Sequence, residues 1–575
     1  MMIEHSSACT VRKTALMTII FSIILYLNLR AEISKQFIEF TDKRNNRYSI
    51  HDPSEFLSQR AIERREKYGI AITEQDLPIS QDYIAQIEEI GLKVTHQIKW
   101  LNGVLCYCDD PEKLEKLRRL SFVKNTRRVD NAGINTRTEI DKFPEQIYFP
   151  EDDNYLNNNY RQDKVYPYGY AFKQIKMLNG DYLHSNNFNG NGKVIGVIDA
   201  GFENVNRLQV FDSLWQNGQI LGYKDFVEPD QPDTCIFLKH NHGTLVLSTM
   251  GGYTRGFVGT APKAKYWLLR SEDADTEKIE EEYLWADAAE FCDSVGVDII
   301  NSSLGYTTFD DPADNHTYED MDGKTTPCAK AANKAFECGI AVISSAGNSG
   351  SSDNEWHYIG TPADALGTLA IGAVDTNGNY AHFSSYGPSF DNRIKPDICA
   401  NGYYVRAVYS NGDIDFSAGT SISTPIISGL IACLWQAKDD HTVQELYDLI
   451  RKNSHLSDKP NDSLGFGIPS FSKALDGSNI WGYKSTLQKF SPGSNVCFTK
   501  SFHSTLVIKI NQLAKYNVTI DIFTINGKKI YTKSITMETN TTIHKIDDLR
   551  TISTGAYILF LDIGKKLYLR KIYKY

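Results

Sequence analysis

Apolar and polar residues change their spacing several times along the chain, and each change marks a different kind of element. Between Lys35 and Val129 short apolar runs alternate with helical spacings: FIEF, SEFLSQRAIERREKYG, SQDYIAQIEEIG, LKVTHQIKWLNGVLCYC, DPEKLEKLRRL and SFVKNTRRV. Tyr83, Ile87 and Ile90 repeat on one helix face, with Ser80 as the expected cap and Gly91 as the stop. The order strand, helix, helix, strand, strand, helix, strand predicts a small α+β unit. The stretch 149–170, FPEDDNYLNNNYRQDKVYPYGY, has little periodicity and many turn formers, and reads as a linker.

Beyond it, compact apolar runs are interleaved with helical patterns. VIGVID is followed by HGTLVLSTMGG, AKYWLLR, a Glu/Ala-rich helix near residues 277–292, VDIINSSLG, KAANKAFECG, IAVISSAGN and TLAIGAV. Continuous apolar strands between helices predict a parallel sheet covered on both faces, with sites at the carboxyl ends of its strands. After about residue 485 the helical spacing stops. STLVIKI, NVTIDIFTINGKKIYTKSI, TTIHKI and TGAYILFLDIGKKLYLRKIYKY alternate as strands, and INGKK and DIGKK read as hairpin turns, so a separate β-sandwich is expected.

Bulk properties narrow the class. A chain of 575 residues needs several cores, and 41% apolar with 23% charged residues is the balance of a globular protein. A net charge of -10 is mild for this length and gives no reason to expect a nucleic-acid partner. Arg12 and Lys13 precede the apolar run Ala15–Leu27, which is short for a membrane span but suits a secretory signal core, with cleavage after Ala31. The ten cysteines form no evident framework; Cys106 and Cys108 would share one face of a strand, and most are expected as buried small hydrophobes.

Four polar residues stand at the strand ends and helix starts of the expected sheet. Asp199 ends GKVIGVIDAGF, where an acid after an apolar run is costly without a partner. His242 lies in HNHGTLVLSTMGG, where Gly243 permits close backbone approach; Asn348 is expected to end the strand IAVISSAGN; and Ser421 opens a helix in DFSAGTSISTPIISGL. Singly, these are a turn former, a structural histidine, an Asx-turn and a helix cap. Jointly, they supply the groups that acyl transfer needs. A serine hydroxyl requires a base and the base an orienting carboxylate, while the oxyanion requires fixed donors, here the Asn348 amide and the Ser421 N–H. The chain order Asp, His, Ser separates this pattern from the other two familiar orders, and a serine esterase would place Ser first inside GxSxG.

With DAGF, HGT, SSAGN and GTSISTP in place, residues 165–480 resemble the subtilisin-like serine proteases. The resemblance implies an α/β domain on a seven-stranded parallel sheet over 166–482. In it Asp199 orients His242, His242 is base and then acid, Ser421 is the nucleophile, and Asn348 lies in the oxyanion hole. It further implies that Ser303, Leu304 and Gly305, with Ser345, Ala346 and Gly347, bind an extended peptide by strand addition. Leu245, Leu247, Ile422 and Ser423 depart from the residues common in the family and are expected to change packing behind the triad.

The flanks resemble the same group of proteins. Residues 32–130 look like its ferredoxin-like α+β prodomain, an inhibitor and folding aid, with processing expected in 131–165 after removal of the signal peptide 1–31. Residues 490–575 look like the sorting domain of type IX secretion in Bacteroidetes. The expectation is a secreted or cell-surface serine endopeptidase made as a zymogen, with protein or peptide substrates, its own prodomain and the secretion machinery as partners. The alternative is an inactive scaffold serving as an adhesin. The residues identify no cofactor with certainty; structural calcium is an option the resemblance allows, but the acidic loop Thr308–Gly323 has no recognisable ligand spacing and reads as solvated.

Overall fold

A computed structural model of the chain describes residues 34–130 except 109, residues 142–143, residues 166–477 except 167, and strands with their neighbours between 487 and 574. The expected signal peptide and nearly all of the expected 131–165 linker lie outside the described residues. The chain divides into two compact units, 1–476 and 477–575.

The first unit opens with the α+β pattern. Strands β1 (Ser34–Phe40), β2 (Lys93–Ile98), β3 (Gly103–Cys108) and β4 (Val123–Arg128) form one antiparallel sheet in the order β2-β3-β1-β4. This is the ferredoxin-like order. Ile38, Val104 and Cys106 on the sheet meet Ile84, Ile87 and Leu117 from its helices. The first helix is shorter than the apolar pattern implied, Gln59–Tyr68, because Pro53 starts a separate 3-10 turn and Ser58 takes the cap, accepting from the Ala61 N–H. Ser80 occupies the N-cap position of helix Gln81–Glu89, but its side chain makes no capping hydrogen bond. Gly91, with φ +87, ends that helix as expected.

The larger part of the unit is built on a seven-stranded sheet. Its strands are β5 (Val194–Asp199), β6 (Ile220–Asp225), β9 (Lys265–Arg270), β10 (Ile299–Ser302), β11 (Ala341–Ser345), β12 (Thr368–Val374) and β13 (Ile398–Asn401). Between β6 and β9 lies a hairpin of two-residue strands, β7 (Tyr253–Thr254) and β8 (Phe257–Val258), and after β13 an antiparallel pair, β14 (Tyr403–Val408) and β15 (Ile414–Ala418). The order is β13-β12-β11-β10-β5-β9-β6, and every pairing is parallel. The chain leaves β5 toward one edge and later returns to its other side at β10, so β5 borders the place where strand order reverses. Helices His242–Gly251 and Thr420–Ala437 pack against each other on one face, and Glu280–Val295 pairs with Pro327–Glu337 on the other. All six residues of β5 are buried, which explains its unbroken apolar run.

The α+β part is fastened to the sheet domain by buried charge. Arg65 pairs with Asp76 at 3.0 Å and Asp293 at 2.8 Å, and Arg64 pairs with Asp293 at 2.6 Å. Glu290 accepts the Lys99 and Trp100 backbone N–H groups at 2.8 and 2.7 Å. His96 lies within 2.8 Å of the Phe226 carbonyl, and burial, reinforced by Lys35, pushes its pKa down to about 3. The acidic loop expected to be solvated is partly tied down: Asp314 pairs with Arg127 at 3.0 Å, and His316 pairs with Glu282.

In the second unit, β16 (Leu487–Lys489), β17 (Val496–Thr499), β19 (Leu506–Gln512) and β22 (Asn540–Ile546) form one sheet. The other holds β18 (Ser501–Phe502), β20 (Tyr516–Thr524), β21 (Lys529–Met537), β23 (Gly555–Ile563) and β24 (Lys566–Lys574). Leu506, Ile508, Ile520, Ile522, Leu559 and Leu561 from the two sheets share one core, as the alternation implied. β20 pairs antiparallel with β21 and β23 with β24, while the expected turn residues 525–527 and 564–565 lie outside the described residues. Among the described residues no helix is long and apolar enough to cross a membrane.

Two outcomes follow from the fastening charges. Arg65→Ala leaves Asp76 as a buried carboxylate without its cation and is expected to lower the stability of the first unit by about 3–5 kcal/mol, read by denaturant unfolding. His96 is held neutral when folded and binds a proton more readily when unfolded. Its contribution therefore disappears as pH falls from 6.5 toward about 3, at up to about 1.4 kcal/mol per pH unit. His96→Gln is expected to flatten that part of the stability profile, and an unchanged profile would remove His96 as its source.

Candidate active site

The carboxyl ends of the central strands stand at one level, since Ile198 pairs with Ser302 and Ser302 with Ser344. Asp199, Ser303 and Ser345 therefore emerge side by side. Asp199 is fully buried; its Oδ1 accepts the Ala200 N–H at 2.8 Å and lies 2.5 Å from His242 Nδ1, itself fully buried. This contact fixes the ring, and with Nδ1 turned to the carboxylate, Nε2 is the nitrogen left for chemistry. The approach depends on Gly243: its N–H donates to the Gly201 carbonyl at 3.0 Å, and a Cβ there would lie 2.3 Å from that oxygen.

Ser421 is buried in the first turn of helix Thr420–Ala437, as its second residue. The N-cap is Gly419, at φ 150, so Ser421 is not the cap. Four residues on, Pro425 has no N–H to give the Ser421 carbonyl, and Ser303 Oγ donates to that oxygen instead at 2.8 Å. The proline of GTSISTP thereby ties the helix start to the segment after β10.

Asn348 does not end the strand as expected: β11 stops at Ser345, and the chain turns at Gly347, whose φ of +111 is no strand conformation, before reaching Asn348. Its Oδ1 accepts both the Thr420 N–H and the Thr420 hydroxyl at 2.9 Å, and the Gly347 N–H donates to Thr420 Oγ1 at 3.2 Å. With Oδ1 turned to Thr420, the donating end of the amide is Nδ2. Thr420 is thus a residue that sequence reasoning missed, although it sits inside the quoted GTS block.

The segments flanking this center are Ser303–Gly305 and Ser345–Gly347. Ser345 Oγ donates to the Leu304 carbonyl at 3.2 Å, joining the two, and Gly305 is exposed. The departures from family habit pack as expected: Leu245, Leu247 and Ile422 lie in the core between sheet and helices, and Ser423 Oγ donates to the Thr420 carbonyl at 3.0 Å. Eight cysteines have described side chains; all eight are free and all but Cys235 are buried, with Cys106 and Cys108 on one face of β3.

A buried Asp–His pair at a sheet's carboxyl end, with a serine in the first turn of a neighbouring helix and an amide beside it, defines the architecture of a serine hydrolase on a parallel α/β scaffold. The family models agree. The subtilase family model matches residues 190–467, the Bacteroidota propeptide domain of peptidase S8 matches 35–142, and a secretion system C-terminal sorting domain matches 502–574. The chain carries a subtilase-family peptidase domain between its propeptide domain and a sorting domain. Subtilisin NAT of Bacillus subtilis subsp. natto is 26% identical over 375 residues, covering 64% of this chain and 79% of that protein. Subtilisin DY of Bacillus licheniformis is 28% identical over 273 residues, 47% and 84% respectively, and alkaline elastase YaB of Bacillus sp. strain YaB is 28% identical over 400 residues, 67% and 84%. The sorting domain marks the protein as secreted or held at the cell surface.

Gly243→Ala forces the helix start away from β5. Its expected cost is about 1–3 kcal/mol, the range for overpacking, measured as a fall in denaturant midpoint. An unchanged midpoint would show that the backbone approach tolerates a methyl group.

Proposed function

We propose that the chain is a serine endopeptidase made as a zymogen, which hydrolyses peptide bonds through an acyl-enzyme on Ser421. The observation that carries this reading is the 2.5 Å contact between His242 and Asp199, both fully buried at the sheet's carboxyl end. A fully buried carboxylate held against one ring nitrogen serves to set the tautomer and stabilise an imidazolium.

In this reading Ser421 Oγ adds to the scissile carbonyl carbon as its proton passes to His242 Nε2. Asp199 offsets the charge that forms on the ring. The developing oxyanion accepts from Asn348 Nδ2 and from the Ser421 N–H, an amide of the first helical turn where the dipole favours negative charge. Collapse breaks the C–N bond, and His242 passes its proton to the departing amine. Water then adds to the acyl carbon, giving its proton to His242, and Ser421 leaves with that proton restored. The peptide itself is held along Ser303–Gly305 and Ser345–Gly347 by strand addition.

No step requires a metal. Among the described residues two acidic groups lie close enough to share an ion, Asp76 with Asp293 and Cys338, and Glu272 with Glu277 and Glu281. Each already faces a cationic side chain, Arg65 and Lys142 respectively. Neither therefore supports a role for structural calcium.

A fluorophosphonate probe is expected to modify one peptide of the processed protein, GTSISTP, and Ser421→Ala to abolish the label. Asn348→Ala is expected to slow labelling by about a hundredfold or more, the cost of one oxyanion donor. Absence of labelling in protein that has lost its N-terminal domain would overturn the reading and leave a binding scaffold.

A further inference from the structure

The loop after β9 runs beside the Asp199 end of β5: the Ser271 N–H donates to the Asp199 carbonyl at 3.2 Å. Together with the first turn of helix Glu280–Val295, it holds seven acidic residues in the eleven from 272 to 282. Three of them, Glu272, Glu277 and Glu281, bring their carboxylates together, with Glu272 and Glu281 almost wholly buried. Such a cluster repels itself and would not stay charged without a partner. Glu277 is pushed up to about 8 by burial and by Glu272, and Glu281 is raised for the same reasons.

The partner comes from far away in sequence. Lys142, the last residue matched by the propeptide model, places its ammonium among all three, in contact with Glu272 and at 2.9 and 3.0 Å from Glu277 and Glu281. The same Nζ donates to the Thr276 carbonyl at 2.7 Å and the Asp273 carbonyl at 3.3 Å. Burial alone would lower the lysine pKa, but the three glutamates hold it well above its usual value. The five groups that meet Nζ are all acceptors, three carboxylates and two carbonyls, a set that a cation satisfies.

What separates a peptide subsite from a cation site is the next residue. The Phe143 ring packs 4.4 Å from the His242 ring and 4.9 Å from that of His240, centroid to centroid. The dipeptide Lys142-Phe143 therefore runs from the acidic pocket to the histidine of the candidate active site.

The structure assigns Glu272, Glu277 and Glu281 to a subsite that takes a lysine or arginine side chain of a bound peptide, with Lys142 as its intramolecular occupant. This rests on the peptidase reading above for its use in cleavage, but not for binding. The glutamates are specificity residues: they touch the peptide away from the bond that breaks. Tyr306 supports them, its hydroxyl donating to Glu272 Oε2 at 2.7 Å.

The test uses the full chain carrying Lys142→Glu, which expels the resident lysine, together with Ser421→Ala, which prevents turnover. A fluorescein-labelled peptide of sequence IDKFPE and its glutamine analogue, IDQFPE, are titrated by anisotropy. The lysine peptide is expected to bind about tenfold tighter or more, the worth of one charge-assisted contact, and Glu277→Gln with Glu281→Gln to abolish the difference. Should that double variant fail to fold by circular dichroism, Glu277→Gln alone, at the most exposed of the three positions, is expected to reduce the difference. Equal binding of the two peptides, or binding of neither, overturns the subsite. So does calcium binding that the glutamate changes abolish while the peptides remain undiscriminated. Fluorophosphonate labelling of the processed Ser421 protein, freed of its N-terminal domain, is run in parallel: discrimination without labelling keeps the subsite and removes the peptidase reading, whereas labelling without discrimination does the reverse.

Discussion

The structure turns on one buried charge. Asp199 closes a strand whose six residues are all buried, and an ionised carboxylate in that position is tolerable only with partners close by. It has the Ala200 N–H and the His242 ring. Satisfying it brings the start of helix His242–Gly251 against the end of β5, which in turn demands a residue without a side chain at position 243. A requirement of solvation thus sets the position of the imidazole to within a hydrogen-bond length. The chemistry inherits that position.

A second set of constraints comes from backbone groups that lack ordinary partners. Pro425 cannot donate to the Ser421 carbonyl, and Ser303 does so instead, linking the nucleophile's helix to the segment after β10. Thr420 holds Asn348 through both its N–H and its hydroxyl, linking the same helix to the segment after β11. Two neighbouring strand ends are in this way locked to one helix start. Rigid support of this kind lets donors face a developing charge without reorganising.

The propeptide domain is held to the peptidase domain by polar contacts as well as by apolar surface, where Phe37, Ile98, Trp100 and Leu105 share a core with Tyr283 and Leu284. Arg64 and Arg65 on its first helix enter a pocket of buried carboxylates, and Glu290 caps the backbone at Lys99 and Trp100. Buried ion pairs contribute little net stability, but they penalise every misplacement of either partner. Such a contact is specific in its register and sensitive to the protonation of the groups around it. The Lys142 contact with three glutamates follows the same logic at the far end of the domain.

Much of this was legible in the amino-acid order because local rules and the fold agree. The apolar runs predicted β5, β9, β10, β11 and β12, since strands buried on both faces need continuous apolar side chains. The alternation after residue 485 gave the sandwich for the complementary reason. Strands β6 and β13 were missed: ILGYKD is mixed in polarity, its residues half-exposed at one edge of the sheet, and ICAN is too short to carry a period. Ser80 does hold the N-cap position, but its hydroxyl makes no capping hydrogen bond, because a serine's type shows its capacity to accept and not where its hydroxyl points. The residue types Asp199, His242, Asn348 and Ser421, and their order, were set by sequence alone. Thr420 as the holder of Asn348, Ser303 as the substitute for a missing N–H, and the meeting of Lys142 with Glu272, Glu277 and Glu281 were decided only by tertiary structure. Each joins residues tens to more than a hundred positions apart, and a local pattern carries no information about which distant polar group will arrive to satisfy it.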